Sequence, residues 1–125
     1  MLCATVTVSH AASYRCDTVE RAYFDPHGKA QRATAEHLAK AKAHVIIEED
    51  GPRARVSRCS WSAFEGKIVC DTYTADQVVL DPNIGAKKFY FFRSQFDVQV
   101  FRDLTFIENN GRGQFSLGKC QLTSP

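Results

Sequence analysis

The sequence has little that would carry it into a membrane or onto a polyanion. No apolar run approaches the ~20 residues of a bilayer-spanning helix. Sixteen Lys and Arg against fourteen Asp and Glu leave a formal charge of only +2, too small to pull a chain onto nucleic acid or an anionic surface. No membrane span and no nucleic-acid partner are therefore expected. There is no Cys-x-x-Cys, Cys-x-x-His or His-Glu-x-x-His spacing, no Gly-x-Ser-x-Gly, no Walker loop and no dinucleotide fingerprint. Each of these holds a reacting group or phosphate at fixed geometry, so neither metal nor cofactor is expected and an enzyme is not the favoured class. What remains is an ordinary globular mix, 44% apolar and 24% charged over 125 residues, which excludes a disordered tail or a collagen-like fibre.

Five cysteines are many for a reduced domain of this size. Residues 2–12 are uncharged and end in small residues, with Ser9 and Ala11 third and first before a cleavage after Ala11, as in the back half of a secretory signal peptide. Leu2, Ala4, Val6 and Val8 also alternate with polar or small residues as a strand would, and no basic segment precedes them. Residues 1–12 thus read as a signal-peptide remnant or an extra N-terminal strand, and residues 13–125 as a single β-rich domain. Removing the former takes Cys3 and leaves Cys16, Cys59, Cys70 and Cys120, which allow three connectivities. Cys59–Cys70 is preferred because Gly66 would bring them together across a hairpin. Cys16–Cys120 is preferred because first and last strands are neighbours in closed β-meanders. Loop closure makes these bridges worth about 3 and about 4.7 kcal/mol. Four buried free thiols are the alternative, but an oxidising compartment, periplasmic or secreted, is the expectation.

Turn chemistry at residues 25–28, 50–52, 65–67, 81–85 and 109–113 divides the chain into segments of strand length. They are Tyr14–Phe24, Val45–Glu49, Arg53–Cys59, Lys67–Tyr73, Gln77–Leu80, Lys87–Arg93, Phe96–Phe101, Leu104–Glu108 and Gln114–Leu122. Phe96, Val98 and Val100 alternate with Asp97 and Gln99, giving a sheet with one wet face. Leu104, Phe106, Phe115 and Leu117 extend that pattern. The alanine-rich stretch Lys29–His44 predicts a helix, with Thr34 as N-cap and Glu36 four residues before Lys40. Its apolar stripe is thin, so it should lie on the sheet by one face. The expected fold is mainly β (α+β): an antiparallel meander or small barrel or sandwich of about eight strands with one Ala-rich helix packed on it.

Candidate binding residues fall in two places. Lys87-Lys88-Phe89-Tyr90-Phe91-Phe92-Arg93 reads as a central strand buried on both faces with cations at its ends. Alternatively it offers Tyr90 and Phe92, flanked by Lys87, Lys88 and Arg93, for ring stacking. Asn109-Asn110-Gly111-Arg112-Gly113 reads as a hairpin loop whose Arg112 could meet an anion. His37 and His44, taken as helical, stand about 10.5 Å apart along the axis, too far for one ion. Glu48–Asp50 could pair with Arg53, Arg55 and Arg58 across the turn at residues 50–52.

Disulfides, β-rich scaffold and missing catalytic signatures favour a small exported binding module that recognises a protein or cell-envelope component noncovalently, of inhibitor, immunity or accessory type. In outline the chain resembles the small periplasmic β-barrel lysozyme inhibitors, which also begin and end near cysteines. Their Ser-Gly and Tyr-x-x-Lys-Gly loops are absent, so no inhibitory residue is carried over. A small secreted nuclease-like hydrolase would need two of His27, His37, His44, Arg93 and Arg112 to converge. A ligand-carrier barrel would need a cavity where Phe89, Phe91, Phe96, Phe101, Phe106 and Phe115 predict a filled interior.

Overall fold

The computed structural model describes residues 12–48 and 50–124. Residues 1–11, and with them nearly all of the signal-or-strand segment, lie outside that range. The elements are β1 (Ser13–Phe24), β2 (Ala30–Arg32), α1 (Ala35–Ala41), β3 (His44–Glu48), β4 (Arg55–Ser62), β5 (Lys67–Thr74), β6 (Gln77–Asp81), β7 (Ala86–Phe91), β8 (Phe96–Val100), β9 (Thr105–Asn109) and β10 (Gln114–Ser124). Nine strands run side by side in the order β5-β4-β3-β1-β10-β9-β8-β7-β6, all paired antiparallel, and β2 adds to β1 off this path. The sheet curls into a half-barrel. The fold is thus mainly β with one helix, as expected, with more strands than eight.

Two local meanders, β3–β5 and β6–β9, flank the long β1–β10 pair. Along that pair Cys16 faces Cys120, and the two are disulfide-bonded. Past Thr18 the register slips by one residue, so that Arg21 pairs with Ser116. Such a bulge changes which residues face inward, and Arg21 Nε donates to Ser116 Oγ at 3.1 Å. The core gathers Tyr14, Val45, Ile47 and Val56 from the first half with Phe89, Phe91, Phe96 and Phe106 from the second. Phe91 and Phe96 stack at 4.2 Å, and Tyr73 from edge strand β5 meets Phe96 edge-on at 5.0 Å. These contacts draw β5 toward β7 and β8 across the interior.

Three expectations need correction. The helix does not span Lys29–His44. Asp25 accepts from the backbone N–H of His27 and Lys29, closing a turn that sends Ala30–Arg32 back along β1 as β2. Hydrogen bonding to the sheet outcompetes alanine's helical preference there. Thr34 does cap α1, accepting from His37 N at 3.1 Å, and Lys42 in the left-handed region (φ 48°) ends it after seven residues. Secondly, β10 turns Ser116 and Cys120 into the core and leaves Leu117 37% exposed with Phe115 only partly covered. Gly118 explains this, because a Cβ there would overlap the Asp17 carbonyl oxygen and sit 2.8 Å from Phe106 Cε1. No bulkier residue fits at that position. Thirdly, β7 buries Phe89 and Phe91 on one face, while on the other Lys88 and Tyr90 are only partly covered beside buried Ala86.

Candidate recognition surface

The structure separates the candidate residues to opposite ends of the half-barrel. Asn109, Asn110, Arg112 and Arg93 lie in or beside the β9–β10 and β7–β8 turns. The first of these loops satisfies itself: Asn109 Oδ1 accepts from Gly111 N, and Asn110 Oδ1 from Arg112 N and Gln114 N. The Arg112 and Arg93 side chains are exposed. At the other end Lys87 turns inward. Its Nζ donates to Asp50 Oδ2 and to Tyr14 Oη, and Tyr14 Oη donates to Asp50 at 2.8 Å. Lys88 pairs with Asp81 at 3.6 Å, and Tyr90 stacks on Phe92 with ring centroids 6.2 Å apart. Lys87 is therefore a strut of the fold, while Tyr90 is half-covered by its own neighbour.

The charged turn at residues 50–52 also divides differently from expectation. Arg55 pairs with Glu48 at 2.5 Å as anticipated, but Asp50 goes to Lys87, and Arg58 points into the half-barrel. There its Nε donates to buried Glu108 at 2.8 Å, and its guanidinium lies 4.4 Å over the Phe96 ring. Arg21, Arg58, His44, Asp71 and Glu108 line an open cleft of about 230 Å³. Its charges cancel within the wall, and the buried one, Glu108, is already paired. His27, His37, Arg93 and Arg112 do not line this cleft. Elsewhere the interior is filled by Phe89, Phe106, Ile47, Val56 and Val98.

Among the described residues the most exposed large apolar side chain, Phe64, lies on the β4–β5 hairpin. The strands pair from Arg55↔Thr74 to Ser62↔Lys67, and the turn closes through Gly66 N to Ser62 O at 2.7 Å and Glu65 N to Ser62 Oγ at 3.1 Å. Phe64, at the tip, is 99% exposed. Behind it Trp61 and Ile68 oppose each other directly, 41% and 37% exposed, with Lys42 Nζ 5.0 Å from the Trp61 ring. Two residues further in, on the same face by strand alternation, Cys59 and Cys70 are opposed and disulfide-bonded, Cα atoms 4.1 Å apart. The predicted hairpin bridge is present. The tip itself went unread in the sequence, where Trp61, Phe64 and Ile68 around Gly66 have the pattern of any half-buried hairpin. Among the described residues no helix is long and apolar enough to cross a membrane. No family model, curated protein or solved structure matches the chain.

Proposed function

We propose that the protein is an exported, disulfide-stapled binding module that recognises a protein partner noncovalently, with the β4–β5 hairpin as its recognition element. The observation that carries this is the Phe64 side chain, fully in water at the tip of a hairpin cross-linked midway along its strands. A free aromatic ring in water costs solvation and contributes nothing to the fold, whereas aromatic anchors dominate the energy of protein interfaces. The cross-link lowers the ordering cost of binding, because the hairpin is already held in shape. Trp61 and Ile68 extend the anchor, and Lys67 and Glu65 supply a charged rim around it. Glu65 beside Phe64 favours a protein pocket over an anionic bilayer, which would repel and desolvate that carboxylate. Two disulfides are compatible with an oxidising compartment. The filled interior favours a surface-binding role over a carrier, and the scattered histidines give no support to the hydrolase alternative.

The test compares parent and Phe64→Ala protein as bait in an envelope extract, with vesicles of neutral and anionic lipid as a second arm. Phe64→Ala should melt within a degree or two of the parent, because an exposed side chain away from packing changes stability by less than about 0.5 kcal/mol. A partner retained by the parent should be lost or weakened at least tenfold, since a hot-spot truncation costs ~2 kcal/mol or more. Equal retention by both proteins, or vesicle binding in place of a protein, overturns the proposal.

A further inference from the structure

The register places His44, Cys59 and Cys70 in one lateral row across three neighbouring strands: His44↔Cys59 between β3 and β4, Cys59↔Cys70 between β4 and β5. A ring nitrogen of His44 and both sulfurs lie within 4.8 Å of one another. The imidazole is also held in one orientation. His44 Nδ1 is 2.8 Å from the Lys42 carbonyl oxygen, which only accepts, so Nδ1 is the donor and in the neutral ring Nε2 is the nitrogen able to ligate. A backbone carbonyl fixing one imidazole nitrogen so that the other can ligate is the outer-shell arrangement of protein metal sites. His44 is 6% exposed, and among the described residues its ring bonds to the Lys42 carbonyl while no side-chain nitrogen is left buried without a partner. On a helix with His37, His44 would stand too far away to share an ion; at the start of β3 it stands beside two sulfurs instead.

We infer that the Cys59–Cys70 bridge, once opened, becomes a two-thiolate, one-imidazole site for a thiophilic divalent ion such as Zn²⁺, with His44 as third ligand and solvent completing the tetrahedron. Ligand distances of about 2.3 Å to sulfur and 2.0–2.1 Å to nitrogen are reached by side-chain rotation from atoms already this close. Opening requires a reductant, a small thiol or, in the assay, a phosphine. With the phosphine, the S–S bond breaks, the phosphine takes oxygen from water to become its oxide, and two thiols form. Zn²⁺ then makes two Zn–S bonds and both thiol protons leave. Cys70 is exposed, whereas Cys16 and Cys120 are 0% and 4% exposed, so native-state reduction opens this bridge first. The ion would then close the hairpin midway along its strands in place of the covalent staple, keeping the recognition element shaped under reducing conditions. The site does not depend on what the tip binds.

The experiment uses the full chain carrying Cys3→Ser, so that the opened bridge supplies every free thiol. The protein is treated with phosphine under native conditions, the gain of two alkylatable thiols is checked by mass, and Co²⁺ is titrated before Zn²⁺. One equivalent of Co²⁺ should give thiolate charge-transfer and tetrahedral d–d bands, Zn²⁺ should displace it with release of two protons, and unreduced protein should show neither. His44→Gln should weaken Co²⁺ binding at least ~10-fold, and Cys70→Ser, at an exposed position, should lower the charge-transfer intensity by about half or more, since one of two thiolates is removed. No stoichiometric Co²⁺ spectrum from reduced parent protein overturns the inference. So does a His44→Gln protein that binds with the parent's affinity and spectrum.

Discussion

Asp50 offers the sharpest test of what holds the half-barrel shut at the end away from the β9–β10 loop. It is 9% exposed and accepts from Ala12 N at 2.8 Å, Tyr14 Oη at 2.8 Å and Lys87 Nζ, tying the start of β1, the β3–β4 turn and β7 together. Removing one partner of a buried ion pair costs about 3–5 kcal/mol. The Lys87 side chain is 35% exposed and can turn toward water, which puts Asp50→Ala at the lower end, ~3 kcal/mol. Asp50→Asn keeps an acceptor for Ala12 and Tyr14 but not the charge, and should lose ~1.5 kcal/mol. With a urea slope of about 2 kcal/mol/M, the alanine variant's midpoint should fall by ~1.5 M at pH 7 with the slope unchanged. The pH dependence supplies a second arm. Burial pulls the Lys87 pKa down, but its bonds and charge interactions with Asp50 and Tyr14 outweigh this and hold it above the ordinary 10.5. Tyr14 is held above 10.0, by burial first and then by its bond to Asp50. In both, the folded state keeps a proton that the unfolded state releases. Their contribution is therefore intact below about pH 10 and is lost as pH rises through the folded values. The parent midpoint should drop in that alkaline window, and Asp50→Asn should drop less. A midpoint unmoved by Asp50→Ala, or an alkaline loss identical in Asp50→Asn, refutes the reasoning.

Gly118→Ala should destabilise by ~3 kcal/mol or more, because the added Cβ overlaps the Asp17 carbonyl oxygen across the β1–β10 pair and crowds Phe106; a melting temperature equal to the parent's would show that the pair can shift apart freely. Thr34→Ala should cost ~1 kcal/mol through loss of the cap on His37 N, seen as a lower urea midpoint, and Thr34→Ser should restore most of it.

Much of the framework was legible in the sequence because it rests on short-range chemistry. The turn clusters marked the hairpins, period-two alternation marked β8, and the hairpin around Gly66 together with the neighbourhood of first and last strands gave both disulfide pairings. What failed had longer-range causes. The alanines of residues 29–34 favour helix locally, but the Asp25 turn offers that stretch a strand partner in β1. In β10 the bulky Phe115 and Leu117 look inward-facing by size, yet the close approach of β1 at Gly118 leaves no room for a bulkier residue at that position. Lys87 looked like a surface cation because nothing in its own segment announces Asp50, 37 residues away. Neither the tip at Phe64 nor the row His44–Cys59–Cys70 has a linear signature. The first is defined by lack of contact, the second by a register shared among three strands.

The central place of β1 and β10 in the sheet also sets an order in time. Each flanking meander pairs strands that follow one another closely and can assemble as soon as its own turns form. In the strand order the two halves meet at a pair whose bridging cysteines lie 104 residues apart. Contacts of such separation form slowly and late. A chain emerging from the ribosome would carry two half-made sheets with open edges until β10 arrives between them. During that interval its unpaired edges are open to pairing with another copy of itself.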